Sequence, residues 1–401
     1  KMSNITKLNS KELTEYINHF IDNNKHVQEA GKMPVALNIE GDAGLGKTSL
    51  VKQIAEKREL SFVKLNLAQL EDIGDLVGFP VRQFEMTGEN PKTKVEETVW
   101  VDEQMVDMKV KLGYTETGAN QTTNCPPEWL AGQTENGILL LDDYSRANSR
   151  FMQATMELIN EQSYGTWTLP KGWNIMLTTN PDNGEYHVTP MDDAQKTRFV
   201  STEMKFDKDC WAEWAENAGI DGRCINFILS HAELLKPAQG NSGVNPRSVT
   251  TFFNSIASFD NFANNLPMVS MLGEGSVGSE FMSLFTSFIN NKLDKLIDPD
   301  TILNGDEAIV KAGLKAAMYD GDAYRADISS VLASRVINYS IMYAKENTIT
   351  QKHIDRLIMI LTEETFNHDV RYVIVKELLK GNKEKFKKLF LNAEVASMAV
   401  K

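Results

Sequence analysis

The segment Gly41-Asp42-Ala43-Gly44-Leu45-Gly46-Lys47-Thr48 constrains this chain more than any other stretch in it. It fits the pattern G-x-x-x-x-G-K-[ST] completely. It also stands in the setting that pattern requires, after a short apolar run (Pro34 to Ile39) and before Leu50, Val51, Ile54 and Ala55 at helical spacing. Glycines let the backbone curl so that its N–H groups point at phosphate oxygens. The N-terminus of the following helix adds partial positive charge. Lys47 supplies a full charge to β and γ phosphates, and the Thr48 hydroxyl can take one Mg²⁺ position. With Ser49 in the first helical turn, residues 41–49 form the expected phosphate-binding set. A chance glycine turn would explain neither flanking element.

The rest of the first half reads as further strands and helices. Phe62–Asn66 alternates like a strand. Gly137–Leu141 and Asn174–Thr179 are short apolar runs typical of buried strands, and Phe199–Phe206 is a fifth candidate. Helical patterns cover residues 11–30 and the stretch with Phe151, Ala154, Thr155, Leu158 and Ile159 on one face. Strands alternating with helices predict an α/β domain with a five-stranded parallel sheet between helices. From Asp207 onward every pattern is helical. The predicted organisation is an α/β core over 1–205, a helical lid over 206–305 and a C-terminal helical extension over 306–401. Residues 85–125 are polar and least regular, and read as a surface insertion.

A phosphate loop needs an acid partner, and Leu139-Leu140-Leu141-Asp142-Asp143 supplies one. Asp142, at the end of an apolar strand, is the candidate Mg²⁺ holder, through water. Asp143 is the candidate acid that polarises the attacking water. The competing reading of paired aspartates is a helix N-cap.

Composition sets the outer bounds. Lys+Arg total 42 against 55 Asp+Glu, a formal net charge of -13, which argues against a surface that simply coats nucleic acid. Cys125, Cys210 and Cys224 show no C-x-x-C, so neither a disulfide framework nor a zinc site is indicated. Six histidines show no ligand spacing, so no metal beyond Mg²⁺ is expected. No apolar run approaches the roughly 18 residues of a membrane span. The polar N-terminus, in which Met2 reads as the natural start, lacks an apolar signal core. The expected location is a reducing one, the cytoplasm.

Beyond the phosphate loop, several stretches resemble MoxR-type AAA+ ATPases. Asp142-Asp-Tyr-Ser-Arg146-Ala is similar to the family's D-E-I-N-R-A signature. Glu161 to Trp173 resembles its hairpin before the sensor strand, and Leu177-Thr-Thr-Asn180-Pro its sensor 1 strand. Met191-Asp-Asp-Ala-Gln-Lys-Thr-Arg198-Phe resembles the helix carrying its arginine finger. Asn245-Pro-Arg247-Ser is similar to its sensor 2 start. Softer echoes, such as Asp75 to Pro80, Trp211-Ala-Glu-Trp214 and Gly273 to Gly278, resemble a MoxR branch whose genes often neighbour von Willebrand factor A-domain proteins. The likeness covers about residues 34 to 305. Asp143 departs from the family's glutamate, and Tyr144-Ser145 from its I-N. Shortening a glutamate withdraws the carboxylate by roughly 1.5 Å, and a misplacement of about 1 Å can cost ~10²-fold in rate.

The resemblance implies a P-loop AAA+ core that binds ATP and Mg²⁺ and hydrolyses ATP. Asn180 would orient the attacking water or sense the γ-phosphate. Arg198 would act in a neighbouring subunit's site, although an ion pair with Asp192 or Asp193 would also occupy it. Arg247 would contact phosphate from the lid. A finger acting in trans implies head-to-tail assembly, and the family suggests a homo-hexameric ring. The leading reading is then a chaperone-like motor for a protein client, with a von Willebrand A-domain protein as the partner the family suggests. A nucleic-acid motor, such as a restriction or helicase subunit, and a slowly hydrolysing nucleotide-gated scaffold are the competing readings. Between Glu71 and Lys109 the acids (Glu71, Asp72, Asp75, Glu85, Glu89, Glu96, Glu97, Asp102, Glu103, Asp107) outnumber the bases Arg82, Lys92, Lys94 and Lys109. Rings of this family turn part of this region toward the pore, and an acidic lining would repel a phosphate backbone. Trp211 and Trp214, three apart on one helix, read as core, and the lysines of Lys376–Lys388 as a solvated helix face.

Overall fold

The computed structural model describes residues 5–182, 186–235, 244–290, 296–321, 323–363 and 365–399. The expected start at Met2 lies outside them. The chain divides into two compact units meeting at Lys205 and Phe206.

The first unit runs β1 (Thr6–Leu8), α1 (Ser10–Glu29), β2 (Ala36–Glu40), α2 (Lys47–Lys57), β3 (Ser61–Asn66), α3 (Ile73–Val77), β4 (Phe79–Glu89), β5 (Glu96–Asp102), α4 (Glu103–Lys111), β6 (Thr115–Cys125), β7 (Gly137–Asp142), α5 (Ser149–Glu161), β8 (Ser163–Tyr164), β9 (Trp167–Thr168), β10 (Trp173–Thr179), α6 (Asp193–Lys196) and β11 (Phe199–Met204). The main sheet has the order β1-β11-β2-β10-β7-β3 and is parallel throughout. It has six strands where five were expected. The sixth is Thr6–Leu8, which pairs along β11 from Thr6 opposite Thr202 to Leu8 opposite Met204. An edge strand held by backbone hydrogen bonds needs no apolar face, so its polar residues gave no strand signal.

The two faces of the sheet explain why β7 reads as one continuous apolar run. Ile138 and Leu140 pack with Leu13 and Ile17 of α1 and Val51 and Ile54 of α2. Leu139 and Leu141 point the other way, onto Phe151, Leu158 and Ile159 of α5. A parallel sheet between helices, with a glycine loop leading from β2 into α2 and an acid pair closing β7, is a P-loop α/β core.

The segment between α3 and β7 departs from expectation. Instead of an irregular insertion it forms an antiparallel sheet, β5-β4-β6. A small core of Met86, Val101 and Tyr114, flanked by Val99 and Val106 of α4, supports it. The hairpin β8–β9 lies in the stretch that resembled the family's pre-sensor hairpin.

The second unit is mainly helical: α7 (Lys208–Asn217), α8 (Gly222–Ser230), α9 (Pro246–Ile256), α10 (Leu266–Asn290), α11 (Pro299–Asn304), α12 (Glu307–Met318), a short hairpin β12 (Tyr319–Asp320) and β13 (Ala323–Tyr324), then α13 (Ala326–Glu346), α14 (Gln351–Thr362), α15 (His368–Phe386) and α16 (Ala393–Ala399). One core gathers Phe227, Phe252, Phe253, Phe281 and Phe285, with the rings of Phe227 and Phe285 edge-on at 5.0 Å. A second gathers residues from α11 to α16, including Leu332, Leu357, Phe366 and Phe386. Trp211 joins the first core, but Trp214 is 40% exposed, so only one of the expected core pair is in the core. Arg335 is buried on α13 and bonds Glu216 Oε1 at 2.8 Å and Asp298 Oδ1 at 3.1 Å. The three cysteines are free thiols. Among the described residues no helix is long and apolar enough to cross a membrane.

Candidate active site

The parallel sheet brings the C-terminal ends of β2, β7 and β10 side by side, and the site is built there. β2 ends at Glu40 and the chain turns at Gly41, where a Cβ would lie 2.7 Å from the Met204 carbonyl oxygen. No larger residue fits against β11 at that point. Gly46 caps α2 in the left-handed region at φ 91°, which a side chain would oppose.

Lys47 opens α2 and is buried. Its ammonium donates to Gly41 O at 2.5 Å, Asp42 O at 2.9 Å and Asn180 Oδ1 at 3.3 Å. Thr48 donates its hydroxyl to Asp142 Oδ1 at 2.6 Å. Loop lysine, loop threonine, strand-end aspartate and the β10-tip asparagine thus converge on one locus, although 94 positions separate Thr48 from Asp142 and 133 separate Lys47 from Asn180. Ser49 faces outward in the first turn of α2.

Asp142 is held from three sides. Besides Thr48, Thr178 donates to Oδ1 at 2.7 Å, and the Lys64 ammonium stands 3.7 Å from Oδ2. Lys64 reaches it from β3, whose Asn66 pairs with Asp142 across the sheet. Asp143 follows with φ 51° and ψ 38°, a left-handed conformation uncommon outside glycine, asparagine and aspartate. Its N–H donates to Thr178 Oγ1 at 3.0 Å. Asp143 precedes a short 3₁₀ turn, Tyr144–Arg146, and its side chain makes no cap hydrogen bond there, so the helix-cap reading of the acid pair has no support.

Asn180 is 5% exposed. Its backbone N–H donates to Ser145 Oγ at 3.1 Å. Its Nδ2 is buried without a hydrogen-bond partner among the described residues. An orphaned buried amide beside a buried ammonium is costly unless something arrives to accept from it. A phosphate oxygen or the water attacking it would serve. Ser145 and Tyr144, which with Asp143 depart from the D-E-I-N-R-A signature, both have partners. Ser145 receives the Asn180 amide, and the buried Tyr144 hydroxyl lies 3.0 Å from Thr155 Oγ1. Burial pushes the Tyr144 phenol up to about 12, so it stays protonated at neutral pH.

Four residues here carried no signal in the sequence: Lys64, Ser145, Thr178 and Tyr186. The Tyr186 hydroxyl accepts from Ala43 N at 3.3 Å and donates to Asp42 Oδ1 at 3.4 Å. It therefore occupies one of the loop N–H groups that the motif offers to phosphate. Three residues on, Thr189 is tied to the Tyr144–Arg146 turn through its N–H to Ser145 O and its hydroxyl to Ala147 O, both 2.7 Å.

Two sequence-expected residues stand apart. Arg198 ends the turn after α6. Its guanidinium donates to Ala194 O at 2.5 Å, and its Nε is buried without a partner among the described residues. Neither Asp192 nor Asp193 takes it in an ion pair; Asp192 instead caps α6 through Gln195 N at 2.7 Å. Arg247 belongs to the second unit, in the first turn of α9. Asn245 caps that helix, accepting from Arg247 N and Ser248 N at 3.0 and 3.1 Å. The capping Asn245 and Arg247, Ser248 and Thr251 of α9 line a cleft of about 330 Å³ with Gly275 and Ser276 of α10.

No protein-family model and no curated protein sequence matches the chain. Among solved structures it is similar to a mutant of Thermotoga maritima RuvB, at 11% identity and a TM-score of 0.38 over 77% of this chain and 91% of that one. It is also similar to a Cytophaga hutchinsonii protein described provisionally as an ATPase, at 15% identity and a TM-score of 0.31 over 92% and 96%. Superposition at these scores adds nothing to what strand order and site geometry already establish.

Proposed function

We propose that this protein is an ATP-hydrolysing AAA+ motor that assembles head to tail and acts on a protein client. The Thr48–Asp142 hydrogen bond of 2.6 Å carries the reading. It joins the hydroxyl of a complete phosphate loop to the strand-end carboxylate, the pair that holds Mg²⁺ in such sites. Bound there, Mg²⁺ would neutralise charge on the β and γ phosphates. Lys47 and the loop N–H groups bind the phosphates, Asn180 Nδ2 offers its unused hydrogen to the attacking water or the γ-phosphate, and Asp143 takes the water's proton. The test is phosphate release from ATP by the purified protein. Hydrolysis abolished by Asp142→Asn is expected; turnover untouched by that change would sink the assignment.

The finer assignments follow the same reading. Arg198 supplies charge to a neighbour's phosphates. Arg247 contacts phosphate from the helical unit. The MoxR resemblance supports a six-membered ring and a client such as a von Willebrand A-domain protein. The acid excess between Glu71 and Lys109 favours protein over nucleic acid. DNA or RNA bound tightly at physiological salt, and released by more salt, would reverse that choice.

Two further results are expected. Asp143→Glu should keep or raise turnover, because it restores the missing methylene, whereas Asp143→Asn should lower it at least ~10-fold. Unchanged turnover in Asp143→Asn would remove Asp143 from the water-polarising role and favour the slowly hydrolysing scaffold. Tyr186→Phe should tighten ATP binding about two- to threefold, the order expected when one weak competing hydrogen bond is lost. Displacement of a fluorescent ATP analogue checks this, and weakened binding would place the hydroxyl on the nucleotide instead.

A further inference from the structure

We propose that Thr178 is a positioning residue that sets both acids of the site at once. The inference rests on the reading of Asp142 and Asp143 given above. Thr178 is 1% exposed on β10, so no solvent molecule competes for its hydroxyl. That hydroxyl has one hydrogen, and its direction is forced by its two partners. The Asp143 N–H can only donate, and it does so at 3.0 Å. The Thr178 hydroxyl in turn donates to Asp142 Oδ1, which accepts at 2.7 Å. One oxygen therefore joins the metal-holding carboxylate to the backbone of the water-polarising residue.

Each bond has its own consequence. The bond to Oδ1, together with that from Thr48, fixes the rotation of the Asp142 carboxylate and leaves Oδ2 facing Lys64. The bond from Asp143 N holds a residue in the left-handed backbone region. Without it, Asp143 can relax toward the right-handed region, which would change the direction in which its side chain leaves the backbone. Thr178 does not touch the phosphates in this arrangement; it acts through its neighbours.

The experiment compares Thr178→Val, Thr178→Ser and Thr178→Ala. Mn²⁺ binding in the presence of ADP is read by electron paramagnetic resonance, and ATP turnover is measured separately. Serine keeps the hydroxyl and should stay within about threefold of the parent in both. Valine keeps the shape and loses the hydroxyl. It should weaken Mn²⁺ binding about tenfold and lower kcat about 10- to 100-fold, as expected when a hydrogen bond to a charged group is lost, with the KM for ATP within about threefold. If valine prevents folding, the serine–alanine pair isolates the same hydroxyl. Parental Mn²⁺ affinity and kcat in valine or alanine would overturn the proposal. So would a serine variant as impaired as valine, since packing of the methyl group would then be the cause. Absence of both Mn²⁺–ADP binding and turnover in the parent protein would instead overturn the ATPase reading.

Discussion

Lys47→Ala is expected to weaken ATP binding by at least ~100-fold and to abolish hydrolysis. The ammonium is buried and bonded to Gly41 O, Asp42 O and Asn180 Oδ1, so it has little water to lose when phosphate arrives. A charge-assisted hydrogen bond made from such a position contributes about 1.5–3 kcal/mol, and two phosphate oxygens are within the expected reach of one ammonium. Calorimetric titration with ATP and Mg²⁺ reads the loss, and a thermal melt of the variant separates it from misfolding. ATP bound at parental affinity by a folded Lys47→Ala protein would refute the phosphate-loop assignment.

The second large effect concerns Arg198. Arg198→Ala should bind ATP at near-parental affinity and lose about 10³-fold or more in turnover, the range seen when an arginine finger is removed. Lys47→Ala and Arg198→Ala proteins are each inactive on this reading for different reasons. Mixed together, they should regain activity at junctions where an intact loop meets an intact arginine. Steady-state turnover across mixing ratios should pass through a maximum. A flat profile at every ratio would mean that Arg198 does not serve a neighbouring site.

The fold was legible where side chains do the pairing and hidden where the backbone does. The strands β2, β7 and β10 are apolar because helices cover both their faces, so they show as runs in the sequence. The eleven residues of β6, Thr115–Cys125, are almost all exposed and join β4 through main-chain bonds, so nothing in their side chains announced a strand. The same holds for Thr6–Leu8. The site divides in a similar way. Lys47, Thr48 and Asp142 belong to patterns whose spacing is local, and their convergence follows from parallel strands ending on one edge. Thr178 and Tyr186 act through single hydroxyls whose partners lie more than thirty positions away, a relation no local spacing encodes. Ser145 looked like a loss of the family's asparagine, yet it supplies the oxygen that receives the Asn180 amide.

The register between β11 and β2 has a consequence for how such a protein would be controlled. Phe199 stands opposite Ala36 and Glu203 opposite Glu40, so Arg198 lies at the start of the strand pair and the phosphate loop at its finish. Five steps from Ala36 to Gly41 at about 3.3 Å each put roughly 16 Å between them, too far for one side chain to span. On the proposed function, a subunit could therefore be fully folded, loaded with nucleotide and still idle. On the reading above, dilution would act as an inhibitor: specific activity would fall with protein concentration as shared edges separate, with no change in any single chain.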